Sequence, residues 1–220
     1  MSRASVRALF FDVGGTLVRP QPSVGSLYAS VANRHGMTVT AEDMERAFRE
    51  SWAVLKQPGL TVSRKDWWRE VVFRTLGQNN EGCFEELFDI FAHAGAWQVF
   101  PDVEDTLREA RLRGLHVGVI SNWDDRLRPL LDELGLAHYF DSITVSCEVG
   151  VEKPGKEIFM VALQTAGVPA NQSVHVGDND REDVHGAEAM GITAILLNRH
   201  AEKVAGLHDL RDLWITIGGS

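Results

Sequence analysis

Short apolar segments that alternate with helix-length segments constrain the fold of this chain more than any other feature of its sequence. The apolar segments are residues 6–13, 115–122, 142–149, 173–178 and 192–198. The helix-length segments between them each end in glycine and span residues 103–114, 126–135, 156–167 and 183–191. This alternation predicts an α/β fold, in which helices cover both faces of a parallel sheet.

Residues 18–95 follow a different pattern, because helical periodicity replaces the strand-like runs. Thr40 resembles an N-cap, and Met44, Ala47 and Phe48 follow it at helical spacing. We therefore expect an inserted helical domain. The predicted boundaries are residues 1–17 and 96–220 for the α/β core and residues 18–95 for the helical insertion.

Composition excludes several classes of protein. A net charge of −9 argues against a nucleic-acid partner. The sequence contains no apolar run near the ~20 residues that cross a bilayer, so we expect no membrane association. Cys83 and Cys147 are too few for a disulfide framework, so a reducing cytoplasm is the expected location. The oligomeric state stays open.

Three polar residues close the apolar segments. Asp12, Ser121 and Asp178 each stand at or directly after the predicted carboxyl end of a strand. Ligands of open parallel sheets bind beyond these ends. The sequence therefore predicts a functional site at this edge of the sheet.

Four motifs occur in order along the chain. They are FFDVGGTL at residues 10–17, VISN at 119–122, EKPGKEIF at 152–159 and HVGDNDREDVHGA at 175–187. Together they resemble the motifs of the haloacid dehalogenase-like (HAD) hydrolases. The resemblance covers essentially the whole chain and implies a Rossmann-like core with a C1-type helical cap.

The resemblance also implies a role for individual residues. Asp12 would be the nucleophile that forms an aspartyl-phosphate, and Lys153 would stabilise the charge on nucleophile and phosphate. The implied substrate-binding residues are Thr16, Ser121, Asn122 and Lys153. The implied ligands of Mg²⁺ are Asp12, the backbone carbonyl of Gly14, Asp178 and, through water, Asp183.

Gly14 departs from the family pattern, because most members carry a second acid at this position. That acid protonates the leaving group and later activates water, and such catalysis contributes ~10²–10⁴-fold. We therefore expect reduced turnover, or a preference for leaving groups that need no proton. The side chains that could replace the acid by type are His35, Glu42, Asp66 and His93, and the sequence places none of them at the site.

The favoured hypothesis is a Mg²⁺-dependent phosphatase of a small phosphorylated molecule. One alternative is a non-enzymatic protein that binds a partner through its tryptophan-rich insertion. Another is a 2-haloacid dehalogenase, since these relatives also lack the second acid. Such dehalogenases work without metal, however, and do not keep the paired acids found here at Asp178 and Asp183.

Overall fold

A parallel sheet organises the larger part of the chain. The computed structural model describes residues 5–55, 64–199 and 206–218. Its strands are β1 (Ala8–Phe11), β2 (Val18–Pro20), β3 (Trp97–Val99), β4 (His116–Ser121), β5 (Ser142–Val145), β6 (Ser173–Gly177) and β7 (Thr193–Leu196). Five of them pair in parallel in the order β5-β4-β1-β6-β7. The α/β class predicted from the alternating segments is therefore confirmed.

Helices connect these strands. They are α1 (Val24–Arg34), α2 (Ala41–Val54), α3 (Arg64–Leu76), α4 (Glu81–Ile90), α5 (Val103–Leu112), α6 (Leu127–Glu133), α7 (Ser146–Val149), α8 (Lys156–Ala166), α9 (Gly186–Glu188) and α10 (Leu213–Gly218). The chain divides into two compact units, one formed by Met1–Val18 with Val99–Ser220 and the other by Arg19–Gln98. No helix among the described residues has the length and apolar character that a bilayer crossing requires.

The register of the sheet brings the strand ends together. Phe11, the last residue of β1, is paired with Val119 of β4 and with Val176 of β6. The strand order also reverses at β1, because the chain adds β4 and β5 on one side and then β6 and β7 on the other. Ligands of such sheets bind where this reversal occurs.

Burial of β1 explains why it lies at the centre. All four of its residues are inaccessible to solvent. Phe10 packs on one face against Ile158 and Phe159 of α8, and successive side chains point to opposite faces. A strand whose side chains are apolar on both faces must be shielded from solvent on both faces. A central position in a sheet that has helices on both sides provides this shielding.

Residues 142–149 are not one strand, which corrects our prediction. β5 ends at Val145 and Ser146–Val149 form the short helix α7. Gly150 ends α7 in the left-handed conformation, with φ 81°. A short apolar run does not by itself distinguish strand from helix. Here the side chain of Ser146, at the start of α7, forms hydrogen bonds with the backbone of Trp123.

The helix predicted over residues 183–191 also differs. A π-helical segment, Asp180–His185, precedes α9. The side chain of Asn179 accepts hydrogen bonds from the backbone N–H groups of Arg181 and Glu182, which begins this segment earlier than expected. Asp183 thus lies inside the π-helical turn, a structure often found at functional sites.

The second unit has its own core. Helices α1–α4 enclose buried residues that include Tyr28, Phe84 and Leu87. As predicted, Thr40 caps α2, and its side chain accepts a hydrogen bond from the N–H of Asp43. Strand β2 was not predicted within residues 18–95; it pairs with β3 where the chain enters and leaves this unit.

A buried ion pair links distant parts of the first unit. Arg199 Nη1 donates to Asp102 Oδ2 at 2.9 Å, and the backbone N–H of Leu210 donates to the same oxygen at 2.7 Å. Arg199 Nη2 also donates to the carbonyl of Thr16 at 2.7 Å. Asp102 is only 1% exposed.

We expect Asp102→Ala to lower the free energy of unfolding by about 3–5 kcal/mol, because it leaves the Arg199 guanidinium buried without its counter-charge. Urea unfolding measures this loss. Asp105→Ala is the matched control, since Asp105 lies in the first turn of α5, which begins directly after Asp102, and pairs with Arg108 at the surface. Equal stabilities of the two variants would contradict the prediction.

Candidate active site

The carboxylate of Asp12 is held at the end of β1. Its backbone N–H donates to the carbonyl of Val176 at 2.9 Å, which extends the pairing of β1 with β6 by one residue. Its Oδ1 atom accepts hydrogen bonds from Ser121 Oγ at 2.9 Å and from Lys153 Nζ at 2.7 Å. Asp12 is buried. Donors from two other segments therefore fix the orientation of this carboxylate.

Lys153 lies between two carboxylates. Its Nζ atom donates to Asp12 Oδ1 and, at 2.6 Å, to Asp183 Oδ1. Its backbone N–H donates to Asn122 Oδ1 at 2.7 Å, and its carbonyl accepts from Asn122 Nδ2 at 3.1 Å. The amide of Asn122 thus fixes the backbone at Lys153, and this position delivers the ammonium group to the end of β1.

Both oxygens of Asp183 are engaged within the protein. Oδ1 contacts Lys153 Nζ and lies 2.9 Å from His175 Nε2, whereas Oδ2 accepts from the backbone N–H of Asn179 at 3.0 Å. Asp183 and His175 are both buried. The imidazole therefore supports Asp183 from within strand β6.

Asp178 follows β6 and completes a group of three carboxylates. One oxygen from each of Asp12, Asp178 and Asp183 lies within 4.8 Å of the others. Gly15, with φ 78°, makes room for Asp178, because a Cβ atom on Gly15 would lie 2.3 Å from Asp178 Oδ2. Glycine is thus required here both by the backbone conformation and by the available space.

The electrostatics of the cluster follow from its crowding. Burial raises the pKa of Asp12; Lys153 opposes this shift, and the Asp183 carboxylate adds to it. Burial and the charges of Asp12 and Asp183 raise the pKa of Asp178 to about 7, although this residue reaches solvent. Burial opposes ionisation of Asp183, but Lys153 and His175 outweigh it and lower its pKa. Burial also disfavours the charged form of Lys153, yet Asp12 and Asp183 raise its pKa.

These shifts describe a site with excess negative charge. Three carboxylates lie close together, the ammonium of Lys153 pairs with two of them, and two of the three carboxyl groups have raised pKa values. A divalent cation with a preference for oxygen ligands would neutralise this excess, and Mg²⁺ has that preference. The donor set therefore fits Mg²⁺.

The other site residues predicted from the sequence differ from one another in burial and in their hydrogen-bond partners. Ser121 contacts Asp12 directly. Asn122 is engaged with Lys153 and, at 2.9 Å, with Glu182 Oε2. Thr16 is fully buried, and its hydroxyl finds no hydrogen-bond partner among the described residues. Gly14 is partly exposed. It follows Asp12 by two residues and directly precedes Gly15, the residue that makes room for Asp178.

Two residues of this site were missed from the sequence. His175 supports Asp183, and Glu182 accepts a hydrogen bond from Asn122. Burial raises the pKa of Glu182, and the nearby Lys153 opposes that shift. A histidine within the otherwise apolar run SVHVG of β6 was the available signal for the first, whereas no local pattern distinguishes Glu182 from its acidic neighbours.

The side chains considered as replacements for the missing acid belong to the other unit. His35 Nε2 lies 2.8 Å from Glu86 Oε2, and Asp66 pairs with Arg69. Both contacts lie within Arg19–Gln98. Neither contact indicates a catalytic role for these side chains.

An open parallel sheet with this strand order, and a buried aspartate beside a lysine and two further aspartates, define a hydrolase of the HAD type. A family model for haloacid dehalogenase-like hydrolases matches residues 6–191. The chain therefore belongs to the haloacid dehalogenase-like hydrolases.

Individual relatives cover most of the chain. Human haloacid dehalogenase-like hydrolase domain-containing protein 3 is 36% identical over an alignment of 208 positions, and the match covers 89% of this chain and 83% of the human protein. Glyceraldehyde 3-phosphate phosphatase from Methanothermobacter thermautotrophicus is 30% identical over an alignment of 210 positions, and the match covers 88% of this chain and 86% of that one.

Solved structures share the fold. A HAD phosphatase from Thermococcus onnurineus has a TM-score of 0.71 and 25% identity, and the match covers 98% of this chain and 99% of that one. L-2-haloacid dehalogenases with lower identity also share it. The fold alone therefore does not separate phosphatase from dehalogenase.

Proposed function

We propose that this protein is a phosphatase that hydrolyses a small phosphorylated molecule with the help of Mg²⁺. The observation that carries the proposal is the setting of Asp12. Its carboxylate is oriented by Ser121 and Lys153, and two further carboxylates lie within 4.8 Å. The similarity to glyceraldehyde 3-phosphate phosphatase supports the same activity.

The residues of the chain can divide hydrolysis into two displacements. In the first, a carboxylate oxygen of Asp12 attacks phosphorus, and the bond to the leaving oxygen breaks with its electron pair. In the second, water attacks the aspartyl-phosphate and restores the carboxylate. Lys153 and Ser121 can stabilise the negative charge in both displacements, since both already donate to Asp12.

The metal would be held by residues at the end of the sheet. The proposed ligands are Asp12, Asp178 and the carbonyl of Gly14. Both oxygens of Asp183 are already engaged, which supports the expectation that its contact runs through water. When bound, Mg²⁺ supplies positive charge beside the phosphoryl group.

The carboxylate cluster also bears on the alternatives. A dehalogenase that works without metal gains nothing from the added negative charge of Asp178 beside its nucleophile. A protein retained only for binding a partner needs no oriented nucleophile. The oriented carboxylate of Asp12 together with the added acid at Asp178 therefore favours the phosphatase over both.

Phosphate release from acetyl phosphate and p-nitrophenyl phosphate tests the proposal. We expect turnover with Mg²⁺ and its loss in EDTA. Halide release from a 2-haloacid without metal would instead establish the dehalogenase. A folded protein with neither activity would favour the interaction protein.

We expect Asp178→Asn to weaken Mg²⁺ binding at least ~10–100-fold, since even side chains that only support metal ligands contribute this much. Isothermal titration calorimetry measures the affinity. Asp180→Asn is the matched control, because Asp180 follows Asp178 by two residues and its side chain is mostly exposed. Unchanged affinity in Asp178→Asn would remove this residue from the metal site, and Asp183→Asn should have the smaller effect of the two site substitutions.

A further inference from the structure

An indole ring covers the position that lacks the second acid. A Cβ atom on Gly14 would lie 3.3 Å from Cζ3 of Trp123, so any larger side chain at this position would move the ring by a few tenths of an ångström. The φ angle of Gly14 lies outside the left-handed region, so its backbone is compatible with other residues. Trp123, rather than the backbone, therefore restricts this position.

The main chain of Trp123 is fixed at both of its polar groups. Its N–H donates to Ser146 Oγ at 3.1 Å, and its carbonyl accepts from Ser146 Oγ at 3.1 Å and from the N–H of Cys147 at 3.3 Å. Ser146 is buried at the start of α7. The indole therefore cannot leave Gly14 by a simple shift of its backbone.

A carboxylate would fit poorly against this ring. The Cβ atom of an aspartate at position 14 would already be crowded by Cζ3 of the indole, and its carboxylate adds three more atoms beyond that contact. Glycine at position 14 and tryptophan at position 123 are thus complementary, because the small residue admits the ring and the ring excludes an acid. Beside the nucleophile this arrangement creates an aromatic surface, and the half-buried state of Trp123 leaves part of the ring accessible.

We propose that Trp123 is a specificity-determining residue that selects phosphoryl compounds whose leaving group is planar and departs as a weakly basic oxyanion, as in acyl and aryl phosphates. The inference rests on the proposed phosphatase function. Attack by Asp12 breaks the bond between phosphorus and the leaving oxygen, and the electron pair stays on a carboxylate or phenolate that needs no proton. An alkoxide is much more basic and requires a proton donor.

The second displacement balances without an acid at position 14. Water forms a bond to phosphorus, the bond to Asp12 breaks, and its electron pair restores the carboxylate. Both protons of the water remain with the released phosphate, which leaves as H2PO4⁻. The indole would contribute to binding a planar leaving group, for which an aromatic contact is worth ~2–10-fold in affinity.

The test compares kcat and KM for acetyl, p-nitrophenyl, phenyl and ethyl phosphate, a series of increasingly basic leaving groups. In wild type we expect kcat to fall steeply along the series. Trp123→Leu should raise KM for the aryl phosphates ~2–10-fold, and Trp123→Phe should restore part of this loss. Trp214→Leu is the matched control, since Trp214 is a half-buried tryptophan that packs on Arg113 in another part of the same unit.

Gly14→Asp provides the second arm. Alone, this substitution should increase the turnover of ethyl phosphate only slightly, because the indole of Trp123 occupies the space that the new carboxylate needs. Combined with Trp123→Leu it should increase that turnover by up to ~10²–10⁴-fold and flatten the dependence on leaving-group basicity.

Two results would overturn the inference. If wild type releases phosphate from ethyl and aryl phosphates with equal kcat, the phosphatase function stands and the role of Trp123 falls. If wild type releases no phosphate from any member of the series, both fall together. The wild-type series decides the leaving-group preference, whereas the KM for aryl phosphates of Trp123→Leu, or of Trp123→Phe where Trp123→Leu fails to fold, compared with that of Trp214→Leu decides whether Trp123 contributes to it.

Discussion

Asp12→Asn is expected to reduce phosphatase turnover by ~10⁴–10⁶-fold, the range seen when a residue of a nucleophilic catalytic group is removed. An amide cannot form an aspartyl-phosphate, whereas the new side chain keeps its size. Its oxygen can still accept from Ser121 and Lys153. The variant should therefore fold, and the loss should appear in kcat.

Beryllofluoride gives this prediction a readout that does not depend on turnover. With Mg²⁺ it mimics an acyl-phosphate, and its binding should raise the unfolding temperature of wild type by mass action. Asp12→Asn should abolish that increase, whereas Asp180→Asn should keep it. Equal protection of wild type and Asp12→Asn would show that the proposed covalent mechanism is wrong.

Lys153→Met is expected to lower both the stability of the protein and its turnover. It leaves the carboxylates of Asp12 and Asp183 buried without their common cation, and the Lys153 side chain is only 2% exposed. We expect the free energy of unfolding to fall by about 3–5 kcal/mol. Turnover should fall by ~10²–10³-fold, since a donor to the developing charge is lost.

Lys65→Met is the control for the loss of a lysine charge. Lys65 pairs with Glu85 at the surface, and both side chains are about half exposed. Solvent screens such a pair, so the free energy of unfolding of Lys65→Met should stay close to that of wild type. If Lys153→Met and Lys65→Met unfold at the same urea concentration, the buried cation does not stabilise the cluster as we infer.

The architecture was predictable because it follows from local pattern. Apolar runs such as residues 6–13 that alternate with helix-length segments favour a parallel sheet, and this prediction is confirmed. In a parallel sheet the carboxyl ends of neighbouring strands share one edge, so Asp12 and Ser121 could be placed together before any contact was known. Their hydrogen bond of 2.9 Å lies at that edge.

Local pattern was insufficient where a tertiary contact decides the conformation. Residues 142–149 have the composition of one strand, but Ser146 begins a helix and binds the backbone of Trp123. The π-helical turn at Asp183 likewise depends on the capping side chain of Asn179. Neither interaction leaves a periodic signal in the sequence.

By itself, the sequence determined the sheet class, the membership of the family and the presence of acids at strand ends. All of these depend on the order and spacing of residues along the chain. Only the tertiary structure decided that Lys153 lies between Asp12 and Asp183, that His175 supports Asp183, and that Trp123 covers Gly14. Most of these residues are far apart in the sequence and meet only because β4 and β6 flank β1. His175 is close to Asp183 in the sequence, but it reaches that carboxylate only through the π-helical turn. Side-chain pairing therefore follows from three-dimensional packing rather than from any local pattern.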